Sequence, residues 1–196
     1  MTGKAFQAIA DAIVADEQNK EMGAKGYAPV YTASPKARIV IIGQAPGVHA
    51  QESLKPWDDA SGVKLRDWLG LSDAEFYDPD LVALIPMDFY YPGKGTSGDL
   101  PPRKGFADKW HPRLLALMPN VQLTILIGAY AQKHYLAKNA AKRLTETVRN
   151  YERYLPQYFP LVHPSPLNFR WQAKNPWFEA EVVPELRRRV REVVAL

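Results

Sequence analysis

Two short stretches hold the residues best suited to chemistry. In the first, the apolar run Ile39–Ile42 meets Gly43-Gln44-Ala45-Pro46-Gly47. Gly43 and Gly47 permit close backbone approach and Pro46 stiffens the turn, so bare N–H groups there can meet a flat, polar ligand. The turn is neither a dinucleotide fingerprint nor a Walker loop, because G-x-G-x-x-G and G-x-x-x-x-G-K-[ST] are both absent. The second stretch is His163-Pro164-Ser165-Pro166-Leu167-Asn168. Its prolines hold the loop rigid, its imidazole follows an apolar run, and Leu167 is an apolar residue at the tip. The chain continues NFRWQAKNPWF, with Arg170 and Lys174 interleaved with aromatics. That mixture suits nucleic acid, with cations for phosphates and apolar groups for bases. Singly, each stretch has a plain structural explanation, a strand-ending turn or a structural histidine. The chemical reading rests on the pair.

Carboxylates stand near both. Asp88 follows the apolar run LVALIP, and Asp58 and Asp59 follow Trp57. Each taken alone reads as a solvated loop acid.

The elements that must position these residues are legible as apolar runs. ARIVIIG, LVALIP, VQLTILIG and YFPLVHPSP read as buried strands. Between and around them, Phe6, Ile9, Ala10, Ile13 and Val14 have helical spacing, as do Val63, Leu65, Trp68 and Leu69. Residues 103–118, the stretch AYAQKHYLAK and the tail from Trp177 to Val194 also read as helices, the last with Val182, Leu186, Val190, Val193 and Val194 on one side. Continuous apolar strands alternating with helices indicate a three-layer α/β/α single domain with a central four-stranded parallel sheet. Ligands bind beyond the carboxyl ends of such strands. The residues at those ends are Gly43–Gly47, Pro86–Tyr90, Gly128–Tyr130 and His163–Asn168, which therefore converge on one rim. One irregular stretch, Tyr90 to Gly105, is too long and too rich in Gly, Pro and Lys for an ordinary connection.

Composition bounds the rest. The 196 residues suffice for one sizeable core. There is no cysteine, which excludes disulfides and cysteine-held metal clusters. No stretch has the length and apolarity of a transmembrane helix, and the N-terminal segment is acidic by Asp11, unlike a signal peptide. A cytoplasmic monomer that needs neither cofactor nor metal is expected. The net charge of +4 favours anionic partners, but Arg187, Arg188, Arg189 and Arg191 fit the end of a helix that opens with Glu179, Glu181 and Glu185.

The two motifs, in this order and near the two ends of an α/β chain, resemble the uracil-DNA glycosylase superfamily. GQAPG is similar to the GEAPG form of its thermophilic branch, and HPSPLN with KNPWF resembles its last motif. KPWDDASG resembles an R-P-F-x-G-x-x-G segment. IPMDFYYPGKGTSGDLPP resembles a stretch of the single-strand-selective branch, and ILIGAYAQ the third core strand. The resemblance covers residues 38–178, with a lead-in and helix in 1–37 and a further helix in 179–196.

It implies hydrolysis of the N-glycosidic bond of uracil or a related deaminated base in single- or double-stranded DNA. The base leaves the stack, and charge develops on it and on the sugar. In this reading His163, Gln44 and Asp88 are catalytic. Gly43, Ala45, Trp57, Met87, Phe89 and Asn168 bind the base, with Trp57 stacking on it. Pro46, Gly47, Lys94, Ser165, Pro166, Leu167 and Arg170 contact DNA, with Leu167 as the wedge; Arg103 and Lys104 are further phosphate candidates. The chain departs from the family's pattern at three places. Ala45 stands where other branches carry Asp or Asn, Gln44 where the GEAPG branch has Glu, and Ala83 where a base-reading Asn is found. The cluster-holding cysteines of that branch are absent. These departures leave a second reading, a nucleic-acid-binding module of weak or no activity in the same cleft. A third, an α/β enzyme acting on a free nucleotide, does not need the long loop or the Leu167 wedge.

Overall fold

The computed structural model describes residues 2–96 and 98–196. Its strands are β1 (Ile39–Ile42), β2 (Val82–Leu84), the short antiparallel pair β3 (Lys94–Gly95) and β4 (Gly98–Asp99), then β5 (Leu123–Ile127) and β6 (Tyr158–Leu161). Its helices are α1 (Thr2–Ala15), α2 (Lys20–Ala24), α3 (Val48–Ser53), α4 (Ala60–Leu69), α5 (Asp73–Phe76), α6 (Phe106–Leu115), α7 (Gly128–Leu136), α8 (Leu144–Arg149), α9 (Phe169–Lys174) and α10 (Val183–Val194).

The central sheet is four-stranded and parallel, in the order β2-β1-β5-β6. Its register aligns Val82, Ile39 and Leu123, so the strands' carboxyl ends lie side by side. Every residue of β1, β2 and β5 is buried, as strands covered on both faces require. Side chains alternate between the two cores. Ile39, Ile41, Ile125 and Phe159 face α4 and α10. Val40, Ile42, Ala83 and Leu126 face α1, α6 and α7. An additional segment guards the outer edge of β2, where Thr32 exchanges backbone hydrogen bonds with Leu84 at 2.9 and 3.0 Å and Val30 donates to Phe89 at 2.7 Å. A covered edge cannot recruit another strand.

Three details differ from the sequence pattern. Val14 and Val63 are 62% and 61% exposed. Val63 lies two residues before Leu65, about 200° around the helix, on the opposite side from Leu65, Trp68 and Leu69. The last helix opens with a wide turn, Phe178–Val182, in which the Val183 N–H reaches back to the Phe178 carbonyl. Pro184, which has no N–H to donate to Ala180, favours that widening.

Candidate active site

At the exit of β1 the backbone is fixed from one side only. The Gly43 carbonyl accepts from Met87 N–H at 2.8 Å, and the Gln44 carbonyl from Asp88 N–H at 3.1 Å. The N–H groups of Gln44 and Ala45 have no protein acceptor among the described residues. Both residues line a cleft of about 510 Å³ at the carboxyl rim of the sheet, together with Gly43, Pro46, Gly47 and Pro86. The Gln44 side chain donates to the Leu100 carbonyl at 3.0 Å, tying the turn to the long loop.

Trp57 and His163 line the same cleft, with ring centroids 5.7 Å apart. Two close approaches explain the glycines around Trp57. A Cβ on Gly43 would stand 2.8 Å from the indole, and one on Gly62 would stand 1.8 Å from the Trp57 carbonyl oxygen. Trp57 itself has φ +58°. This left-handed backbone costs a bulky residue on the order of 1–3 kcal/mol and persists only where its surroundings enforce it.

His163 sits two residues beyond β6 on a loop that is knitted to itself. The Ser165 N–H donates to His163 Nδ1 at 3.2 Å, the Asn168 amide to the His163 carbonyl at 2.7 Å, and the Leu167 N–H to Ser165 Oγ at 3.2 Å. Because Nδ1 accepts, the neutral ring carries its proton on Nε2 and is a donor there. Burial pushes the imidazole below its ordinary range, opposed by the charges of Asp59 and Asp99. The ring is therefore neutral at pH 7. At the loop's tip Leu167 is 84% exposed and lines the cleft.

The structure does not bring every candidate into this cleft. Met87, Asp88 and Phe89 dive beneath the rim, drawn in by the hydrogen bonds of Met87 and Asp88 to the β1 turn and by apolar packing. Phe89 is fully buried, stacked on Tyr31 at 4.5 Å and edge-on to Phe106 at 5.0 Å, and Met87 belongs to the same core. Asp88 is also fully buried. Its oxygens accept from Tyr90 N–H (3.1 Å), Arg103 N–H (3.1 Å), Arg103 Nε (2.7 Å) and Arg103 Nη2 (2.8 Å). Arg103 reaches on to the Gln18 carbonyl and Asn19. Asp88 is thus an anchor for the long loop with no free oxygen facing water, and Arg103 is committed to it. Asn168 lines a neighbouring pocket of about 310 Å³ that shares Gln44 and His163 with the cleft. Arg170 is exposed on α9 with its guanidinium 5.6 Å from the Phe169 ring, and Pro166 and Lys104 are exposed as well.

Lys94 and Ser165 do line the cleft. So do two carboxylates, Asp59 and Asp99. Asp59 caps α4, accepting from Gly62 N–H at 2.8 Å. Asp58 turns away to His49 and Lys55, each at 3.4 Å. Asp99 has no sequence signal beyond its place in an over-long loop; folding of β3 and β4 carries it to the rim. Among the described residues, no group of three His, Asp or Glu side chains is arranged to hold a metal ion. No helix among them is long and apolar enough to cross a membrane.

Residues 29–187 match the family model of the Uracil DNA glycosylase superfamily. The chain belongs to this superfamily. The match includes both the β1 turn and the His163 loop, and the parallel sheet agrees with it. Superfamily membership supports a uracil-DNA glycosylase-like function.

Proposed function

We propose that the protein hydrolyses the N-glycosidic bond of uracil, or of a related deaminated base, in DNA. The base leaves the stack and enters the 510 Å³ cleft, where the Trp57 indole supports one of its faces. As the bond from C1′ to the base nitrogen breaks, its electron pair stays on the base and negative charge grows at the carbonyl oxygen. Neutral His163, donating from Nε2, stabilises that charge together with the free N–H groups of Gln44 and Ala45. Preorganised donors in a water-poor site do this best. Water adds to C1′ and gives up a proton to Asp99. Asp59 is less suited to that task, because the α4 N-terminus holds one of its oxygens at 2.8 Å, whereas Asp99 accepts only a longer 3.4 Å contact from Tyr91 Oη. Leu167 fills the space that the flipped nucleotide leaves. Lys94 and Arg170 contact phosphates.

The observation that carries this reading is the shared cleft of Trp57 and His163, with exposed Leu167 at its mouth. The test is incubation with oligonucleotides bearing uracil, hypoxanthine or xanthine, followed by alkali treatment. Strand breakage at the modified position is expected for at least one of them. Folded protein that leaves all three intact overturns the reading.

A further inference from the structure

The left-handed conformation of Trp57 has an enforcing structure outside the cleft. The Trp57 carbonyl points inward, where Tyr77 Oη donates to it at 3.2 Å and Arg66 Nη1 at 3.4 Å. Arg66 Nη1 also donates to Tyr77 Oη at 3.1 Å, and Arg66 Nε pairs with Asp73 at 2.7 Å. The guanidinium lies 5.4 Å from the ring centroids of both Phe76 and Tyr77. Gly62 passes directly beneath the same carbonyl. Neither Arg66 nor Tyr77 lines the cleft.

We infer that Arg66 and Tyr77 are positioning residues that clamp the Trp57 carbonyl and so fix the plane of the indole opposite His163. A chain that needed only a tight turn here would place a glycine at a left-handed position at no steric cost. This chain has a tryptophan there and builds two donors and a bare Gly62 around its carbonyl. Released from the clamp, residue 57 relaxes toward φ below zero, which swings the side chain away from the β1 turn.

The inference rests on the proposed use of Trp57 as a platform for the base, so its test has two arms. In the first, the protein is labelled with 5-fluorotryptophan and the Trp57 resonance is assigned from Trp57→Phe. Tyr77→Phe and Gly62→Ala each shift or broaden that resonance; an unchanged resonance in both overturns the inference. This arm needs no excision, so it still decides the matter if the glycosylase reading fails. The second arm is a double-mutant cycle on kcat/KM for uracil excision. Tyr77→Phe and Arg66→Lys each lower it about five- to tenfold, the effect of one lost hydrogen bond. In a Trp57→Ala background neither substitution lowers it further, because residues that act through one another are not additive. Losses that multiply in that background show that Arg66 and Tyr77 support the fold at large, and overturn the inference.

Discussion

The indole of Trp57 and the imidazole of His163 stand 5.7 Å apart with their planes inclined by 34°. A base sandwiched between two ring faces needs about 7 Å, two carbon contact distances of ~3.5 Å. The separation is too small for that. In the proposed reaction a base stacked on Trp57 would instead present its edge, where its carbonyl oxygens are, to Nε2–H of His163. On that proposal the pair divides the work between a face and an edge.

Replacing His163 with alanine is expected to lower single-turnover excision by about 10²–10³-fold, as for loss of one oxyanion donor. DNA binding, measured by fluorescence anisotropy, should persist. The pH profile checks the protonation state. Burial holds the folded imidazole below its ordinary value of 6.5, so kcat/KM should show no break at 6.5 and should fall only at more acidic pH. There the second proton goes to Nδ1 and displaces the Ser165 N–H. Near-full excision by His163→Ala would sink this assignment.

The two rim carboxylates, Asp99 and Asp59, and the buried Asp88 should separate cleanly. Asp99→Asn is expected to reduce kcat by about 10²–10⁴-fold, the usual range for a lost proton acceptor, with thermal stability unchanged. Asp59→Asn keeps a capping side chain and should have the smaller effect on kcat. Asp88→Ala should do the reverse of Asp99→Asn. It strands Arg103 and frees the long loop, costing about 2–4 kcal/mol in urea unfolding, below the largest losses because Arg103 keeps partial access to water. A wild-type unfolding curve for Asp88→Ala would show that the anchor is dispensable.

Leu167 is 84% exposed, so Leu167→Ala should leave the unfolding midpoint within about 0.5 kcal/mol of wild type. The same change should shorten the lifetime of the complex with uracil-bearing DNA, read as a faster off-rate. Binding of any DNA should weaken steeply as salt rises, because phosphate contacts release counterions. Lys94→Ala and Arg170→Ala should each lower the slope of log K against log salt by about 1. A loss of several kcal/mol in Leu167→Ala would mark the residue as part of the core.

The parallel sheet and the two motif loops were legible because each has a local cause. A strand covered on both faces is a continuous apolar run, and its end is marked by Gly43 or by Pro164. The descent of Met87, Asp88 and Phe89 was not legible. An apolar residue beyond a buried strand reads the same whether it tops the rim or turns back into the core, and here a hydrogen bond from Met87 to Gly43 decides it. Asp88 reads as an exposed loop acid until Arg103, fifteen residues on, folds back onto it. Asp99 owes its place to the β3–β4 hairpin, and Arg66 and Tyr77 to a carbonyl orientation that no pattern of side chains encodes. The short helix α5 did carry a signal, the Ser72–Glu75 capping box, in which each side chain accepts from the other residue's N–H.

A buried histidine beneath the rim couples folding stability to pH. His111 Nε2 lies 2.9 Å from the Pro86 carbonyl, which can only accept, so Nε2 carries the proton and Nδ1 accepts from Tyr135 Oη at 2.6 Å. Burial pushes this imidazole down from 6.5 to about 4; His134 nearby adds to the depression, while the Pro86 carbonyl and Asp108 oppose it. The folded value lies below the unfolded one, so the unfolded chain takes up the proton first as pH falls. The stabilisation is complete above 6.5 and is lost between 6.5 and about 4, about 3 kcal/mol in all. His111→Gln, which can still donate to Pro86, should be less stable than wild type at pH 7. Its deficit in urea unfolding should shrink steadily from pH 7 to pH 4.5, because the variant has no such proton to take up. A deficit that stays constant over that range would show that His111 does not titrate between the two states as its burial requires.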